Sequence, residues 1–564
     1  MNTAVRTSTQ TNRAGRRAAS RRAGALGATG VIAVGGAGAL LAAFAGSAGA
    51  AATILVDSGS DGAANAANCT DGTPGNCTLR DAALLAADGD TINFSVSNIT
   101  LTNGTVNFDA VNIIGPGSSA LTVTTAGLPG AYEAFMIGGT GDVLISGITV
   151  TQNRIKAENV GTLTLDDVTV SGSTGDYGGA LYADSVGDLV IRNSNFEGNT
   201  SSDAGGAIYV YSEFDVTISN TSVTGNTSGS GGGGIYVSEG AGEINISDSV
   251  FDSNTSNNAD CGGGGACLNG ANVSINRSTF SNNISATWGG GLYISDEVAD
   301  VVISDSEISG NTSADGGGGA LLNASGNVTV LRTTVEDNDT AGSGGGLFFG
   351  QLTDVNTVTD SLISGNTALG GGGIFFYGSE ATVSYVNNST FAGNQAYVGG
   401  GLASTRTVTI NQSTISQNSA LVRGGGLFTY TTMNLSGTVV SGNSASENAD
   451  IDTSVTTVNA THSILGDISE ETVLVGSNNI MTMDPMVAAL ADNGGPTRTM
   501  ALLAGSPAID AGPNPVASFV GNEFDQRGAP WLRVYNGTVD IGAFELQPPP
   551  NPGPDDPVVP AFTG

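Results

Sequence analysis

Charge is the first thing this sequence is short of: only 12% of its 564 residues are charged. One lysine (Lys156), one histidine (His462), four cysteines and two tryptophans occur. A lone histidine leaves the many serines without an evident activating base, which argues against a serine hydrolase. The absence of Cys-x-x-Cys and of histidine near the cysteines gives zinc no ligand set, so no metal and no cofactor is expected. Cations are scarcer still in the body. Six of the 17 basic residues are arginines in the first 50 residues, and setting them aside moves the formal net charge from −34 to −40. Phosphate would be repelled, which excludes a nucleic-acid partner. The acidic residues are scattered, as solubility of an exported protein requires; affinity for divalent cations or adaptation to salt is the alternative.

What is present is a repeat. Ten times between Phe196 and Val440 a hydrophobic residue is followed two places on by a small or polar residue and then Asn, and in all but the last copy a glycine run closed with apolar residues comes shortly afterwards: FEGN…GGAIYV, VTGN…GGGGIYV, FDSN…GGGGACL and so on. The Asn positions are 199, 226, 254, 283, 311, 338, 366, 394, 418 and 443, spaced by 24 to 29 residues. A fixed period of this size means a solenoid. Within one copy the apolar rhythm is two, as in Ile208, Val210, Phe214, Val216 and Ile218, in short stretches bounded by Gly, Asn, Ser or Asp. That is a strand signal, and one coil of two or three strands stacked at ~4.8 Å makes an all-β parallel β-helix. The Asn at one position per coil is expected to hydrogen-bond along the stack and to tolerate a left-handed corner. That role explains the Asn-x-Ser/Thr triplets on the ladder better than glycosylation does. The glycine pair is expected at positive φ or close coil-to-coil approach.

The position after the inward Ile or Leu reads Tyr182, Tyr209, Tyr236, Leu268, Tyr293, Leu322, Phe348, Phe375, Ala403 and Phe428. By alternation it points outward and forms a broken aromatic stripe, with Tyr182, Tyr209, Tyr236, Tyr293, Phe348, Phe375 and Phe428 as candidate ligand-binding residues. Mutual stacking of the rings across coils is the competing structural reading.

The ends differ from the repeats. Residues 1–50, with six arginines, an Ala/Gly/Leu/Val run and Ala48-Gly49-Ala50, read as a secretory signal peptide. Four cysteines in an exported chain suggest two disulfides; of three connectivities the local pairing Cys69–Cys77 and Cys261–Cys267 is natural, since distant coils do not touch. Residues 51–95 form an N-terminal cap, 96–480 the repeats, 481–546 a C-terminal cap closing the far end with Trp531 and Phe544, and 547–564 a Pro-rich tail.

Cys77-Thr78-Leu79-Arg80-Asp81-Ala82-Ala83 resembles the CSLREAI signature of bacterial secreted β-helix proteins, with Thr78, Asp81 and Ala83 in place of Ser, Glu and Ile. The repeats resemble those of the polymorphic outer-membrane protein family. Asn493-Gly494-Gly495-Pro496-Thr497, Gly505 to Gly512, Asp525-Gln526-Arg527-Gly528 and Asp540-Ile541-Gly542-Ala543-Phe544-Glu545 resemble a choice-of-anchor Q domain. These resemblances imply a right-handed parallel β-helix, a pectin lyase-like solenoid, secreted or displayed by a bacterium, and no one activity.

Catalysis finds little support. Arg192, Arg277, Arg332, Arg406 and Arg423 fall at different points of their coils and are not expected to converge; Asp166-Asp167 is a lone acidic pair, Asp260 has no acidic neighbour, and His462 stands outside the regular coils as a structural or surface residue. Gly138 to Asp142 reads as a turn before a strand rather than a calcium repeat. The expectation is a monomeric, extracellular or cell-surface rod, adhesin-like, binding a glycan or a host or cell-envelope surface without catalysis. The alternatives are a carbohydrate-active β-helix enzyme (polysaccharide lyase or glycosidase) and a structural surface component.

Overall fold

The computed structural model describes residues 51–126, 133–258, 261–351, 353–379, 382–453, 457–470 and 472–548. The expected leader over 1–50, Asp260 and the tail past residue 548 lie outside the described residues. Residues from Ala51 onward form one compact unit. It is a parallel β-solenoid of about 13 turns. One coil runs Ile208–Tyr211, Val216–Ser219, Ser222–Thr224 and Thr227–Ser228. Each strand pairs in parallel with its counterpart one coil on: Ile208 with Ile235, Val216 with Ile244, Ser222 with Val250, Thr227 with Thr255.

The alternation read from the sequence explains the core. Ile208, Val210, Val216, Ile218 and Val223 are fully buried. Their equivalents stack above and below, as where the Phe251 and Phe280 rings lie 4.8 Å apart and nearly parallel, the strand spacing itself. Phe214 breaks the pattern: it sits in the turn before Val216 and is 55% exposed.

The Asn ladder forms as expected, inside the solenoid. From Asn199 to Asn418 the backbone N–H and the side-chain amide of each Asn donate to the Oδ1 of the next, at 2.8–3.1 Å. Asn443 ends the row by donating both groups to Asp450 Oδ1, and burial raises the Asp450 carboxyl above its ordinary range. The ladder Asn residues are buried. They do not themselves take the left-handed corner: the residue before each does, as Gly198, Gly225, Ser253 and Asn282 show with φ of 54–63°. The glycine pair behaves as read. Gly205 has φ of 67°, and a Cβ on Gly206 would meet the Gly233 carbonyl oxygen at 1.9 Å.

At the N-terminal end helix α1 (Leu79–Leu85) buries Leu79 and Ala82 against the first coils. Thr78 and Asp81 form a capping box, and Asp81 also accepts from Asn65 N and Asn68 Nδ2. Arg80 pairs with Asp61 and donates to the Thr105 and Gly104 carbonyls. The disulfides are Cys69–Cys77 and Cys261–Cys267. Among the described residues no helix is long and apolar enough to cross a membrane.

The C-terminal segment departs from expectation. Residues 484–546 run back along the outer side of the coils. Leu502, Ala508, Ile541 and Phe544 cover Val439 and Ile464 on the third-strand face. Gln526 bonds Thr390 and Ser361, Ala543 N donates to Thr414, and Gly542 N donates to the Gly437 carbonyl. The end strand Val473–Val475 remains exposed. The physical reason is sequence-encoded: at this outward position Leu362, Val439 and Ile464 are apolar and buried, and Thr390 and Thr414 between them bond Gln526 and Ala543 of the segment.

Candidate binding surface

The outward register of the first strand runs Met136, Lys156, Tyr182, Tyr209, Tyr236, Cys267, Tyr293, Leu321, Phe348, Phe375, Ala403, Phe428 and Asp452. Two expected members change: Leu268 and Leu322 point inward, because the GGGGACL and GGGGALL copies place Cys267 and Leu321 in the tyrosine register. The Cys261–Cys267 disulfide therefore stands where a ring would.

The rings gather into two stacks. Tyr182, Tyr209 and Tyr236 lie 5.5 and 5.3 Å apart, within 4° of parallel, and Phe348 and Phe375 lie 5.4 Å apart at 15°. Trp288 meets Phe348 edge-on at 5.3 Å. Arg154 and Lys156 lie 5.6 and 5.2 Å from the Tyr182 centroid. These ring faces are thus spent along the solenoid axis, and edges and hydroxyls are what solvent meets. Tyr293 is cut off from Tyr236 by Cys267. Phe428 is corrected outright: it is 1% exposed, under Arg423 at 4.8 Å and Tyr430 edge-on at 4.9 Å, so it offers a ligand no surface. Burial, then donation to Asp184, pushes the Tyr182 phenol up to about 12, and burial raises Tyr209 and Tyr293.

A second row escaped the sequence reading. The corner between the second and third strands carries one left-handed residue per coil: Asn193, Asn220, Asp248, Arg277, Asp305, Arg332, Asp360, Asn388 and Gln412, with φ of 46–53°. Arg277 and Arg332 share this register instead of falling at different points. Arg277 forks onto Asp248 at 2.7 Å, Arg332 onto Asp305 at 2.6 and 2.7 Å, and Asn388 donates to Asp360. The usable signal was a polar residue before Ser or Thr once per period: Asp248-Ser249, Arg277-Ser278, Asp305-Ser306, Arg332-Thr333, Asp360-Ser361. His462 closes the same row, with its Nε2 2.9 Å from Asn478 Nδ2.

The remaining candidates resolve locally. Arg192 and Asn193 both bond Asp166, while Asp167 accepts from Ser118. Arg406 is fully buried on the carbonyls of Tyr377, Thr353 and Gly350. Asp142 accepts from Thr162 N in the turn before Val143–Thr151. No group of three or more potential metal ligands occurs among the described residues. Two clefts do combine guanidinium and carboxylate. One, of about 290 Å³, lies between Arg277, Asp305, Glu307, Arg332 and Pro496. The other, of about 590 Å³, is lined by Arg423, Glu447, Asp452, Asp467 and Glu470.

No curated protein matches this chain. Among solved structures it is similar to an alginate lyase in complex with a trisaccharide, at 12% identity over 81% of this chain and 92% of that one, TM-score 0.28. It is also similar to a pectate lyase, at 12% identity over 88% and 96%, TM-score 0.23. Likeness of that order says nothing of activity. The sequence itself matches the family model of the right-handed β-helix region over residues 76–251 and 228–391. With the parallel coils and the internal Asn ladder in place, the chain belongs to the right-handed β-helix family.

Proposed function

We propose that the protein is a monomeric, non-catalytic binding rod that acts outside the cell and contacts a glycan or cell-envelope surface through its first-strand face. One observation carries this reading: the guanidiniums of the coils are already committed. Arg192, Arg277 and Arg332 each neutralise a carboxylate of a neighbouring coil, Arg406 is buried on carbonyls, and Arg423 lies over Phe428. Such groups hold coils together and leave the outer face to tyrosine hydroxyls, ring edges and carboxylates, which can hydrogen-bond sugar hydroxyls. Two disulfides suit an oxidising, extracytoplasmic setting, and the resemblances at both ends suit surface display.

The test is a glycan array on the protein from residue 51 onward, with unsaturated-product and reducing-end assays on the same glycans. Retention without product is expected, and Tyr209→Ser, Tyr236→Ser and Tyr293→Ser together should lower it about tenfold or more. Unchanged retention removes this face as the contact surface. A second reading, a carbohydrate-active enzyme, is favoured by the carboxylates around Arg423 in the larger cleft; product that disappears in Glu447→Gln would establish it.

A further inference from the structure

The aromatic stripe continues past Tyr209 into a different environment. Tyr211 lies two residues on, on the same outward side of the strand, paired with Asp184 of the preceding coil. The turn that follows is held by Ser212, which donates to the Val186 carbonyl and accepts from Phe214 N. That turn keeps Phe214 out of the core. Both rings are 55% exposed. Unlike Tyr182, Tyr209 and Tyr236, neither stacks on another ring among the described residues. In the next coil the pairing slips between Val237 and Ala241, a bulge that re-aims Glu239 and Gly240. The result is a cleft of about 280 Å³ lined by Val186, Tyr211, Glu213, Phe214, Glu239 and Gly240. Its lining carries two exposed carboxylates and no cation. Next to Glu239 the Ser238 hydroxyl is buried without a hydrogen-bond partner.

Half-exposed, unstacked rings beside carboxylates with no cation in the same lining fit one ligand chemistry. A ring face attracts a cation through its quadrupole and packs against the apolar face of a sugar, and a carboxylate pairs with an ammonium group. A uronate would be repelled by Glu213 and Glu239 and by the net charge of −34 around them. We propose that this cleft binds an amino-sugar unit of a glycan through its ammonium group, stacked against Phe214 or Tyr211 and paired with Glu213 and Glu239. The assignment rests on the binding-rod reading and narrows it to cationic glycans.

Titration calorimetry with glucosamine oligomers, N-acetylglucosamine oligomers of the same length and oligouronates separates the possibilities. The glucosamine oligomer should bind about tenfold or more tighter than its acetylated form, with oligouronates weakest. Glu213→Gln with Glu239→Gln should erase that preference while leaving acetylated binding unchanged. Phe214→Ala with Tyr211→Ala should weaken both by about tenfold. Since all four side chains are exposed, unaltered melting of the variants is the fold control. Equal affinity for the two oligomers, or unchanged affinity in the Gln pair, overturns the proposal; so does tighter binding of a lysine-bearing peptide at these residues. If neutral or uronate chains bind and none of the four substitutions matters, this inference fails and the binding-rod reading stands. If no glycan of any class binds, that reading fails as well.

Discussion

The coils from Ser173 to Asn443 and the segment 484–546 solve the same problem, burying polar atoms, in opposite ways. In the coils each ladder Asn from Asn199 to Asn418 meets an identical amide one coil away, and the bonds are neutral, repeated and short-range. In the C-terminal segment the buried groups include ionic ones, each used once, and its contacts reach across the sequence. Arg527 forks onto Asp525 and lies 3.7 and 3.9 Å from the Trp531 and Phe544 ring centroids. Arg533, wholly buried, donates to the Gly542 and Ala543 carbonyls and to Asn388 of a mid-rod coil. Repetition makes stability a sum of neighbour terms; a one-off ionic junction makes docking conditional on a few groups. The coils should therefore fail cooperatively and locally in sequence, and the segment should detach as a unit.

The largest effect tests the first half of that contrast. Asn311 accepts two bonds from Asn283 and donates to Asn338 and the Phe280 carbonyl. Asn311→Ala strands several buried polar groups at once and should cost about 4 kcal/mol. The half-exposed Asn272, which bonds Glu243 and Asp300 N, should cost about 0.5–1 kcal/mol as Asn272→Ala. Denaturant melts of the pair measure the gap; equal losses would mean that the internal ladder is no stronger than a surface bond.

Arg533→Met tests the other half. The swap keeps volume but leaves Asp360, Asp540 and Glu545 without their central cation, at a cost of about 3 kcal/mol to docking. Limited proteolysis should then cut within 484–546 while the β-sheet circular dichroism of the coils is retained. Simultaneous loss of both would show that segment and coils form one cooperative unit, and the contrast would collapse.

The two regions also differed in how far the sequence could be read. Period, strand alternation, Asn ladder, glycine close approach and local disulfides followed from spacing, because in a solenoid the residue one period away is the neighbour in space. Leu268 and Leu322 were misplaced by one residue, since Ala266 and Ala320 replace the bulky inward residue and blur the register. Phe214 was misread because alternation cannot see a turn held by Ser212. The corner row of Asp248, Arg277 and Asp305 was legible in principle, hidden because its identity varies while its left-handed backbone does not. The course of the C-terminal segment was beyond reach. Contacts such as Thr390–Gln526 and Asn388–Arg533 span 136 and 145 residues with no period to project them.

The smallest effect follows from the charge balance of that junction. Asp360, Asp525, Asp540 and Glu545 face two guanidiniums, Arg527 and Arg533, and Asp525 is taken by Arg527. Burial raises Asp360 to about 7 against the opposing pull of Asn388, Arg332 and Arg533, with Asp525 adding to the rise. Burial likewise raises Glu545 to about 8, against the Asp540 N–H and Arg533 and with Asp540 and Asp525 adding to it. Both values lie above those of free carboxyls, so the docked state binds protons more tightly than the released one. Its stabilisation is complete below the free values and is lost as pH rises through the docked ones. Protease protection of 484–546 should accordingly decline from about pH 4, the free-carboxyl range, to about pH 8, the higher docked value, and level off beyond it while the coils stay resistant. Asp360→Asn with Glu545→Gln should flatten the profile, because an amide keeps the neutral form at every pH. A profile that stays steep in that variant would move the titration to other groups. Parallel loss of protection in the coils would show that the junction is no less repetitive in its energetics than the ladder it rests on.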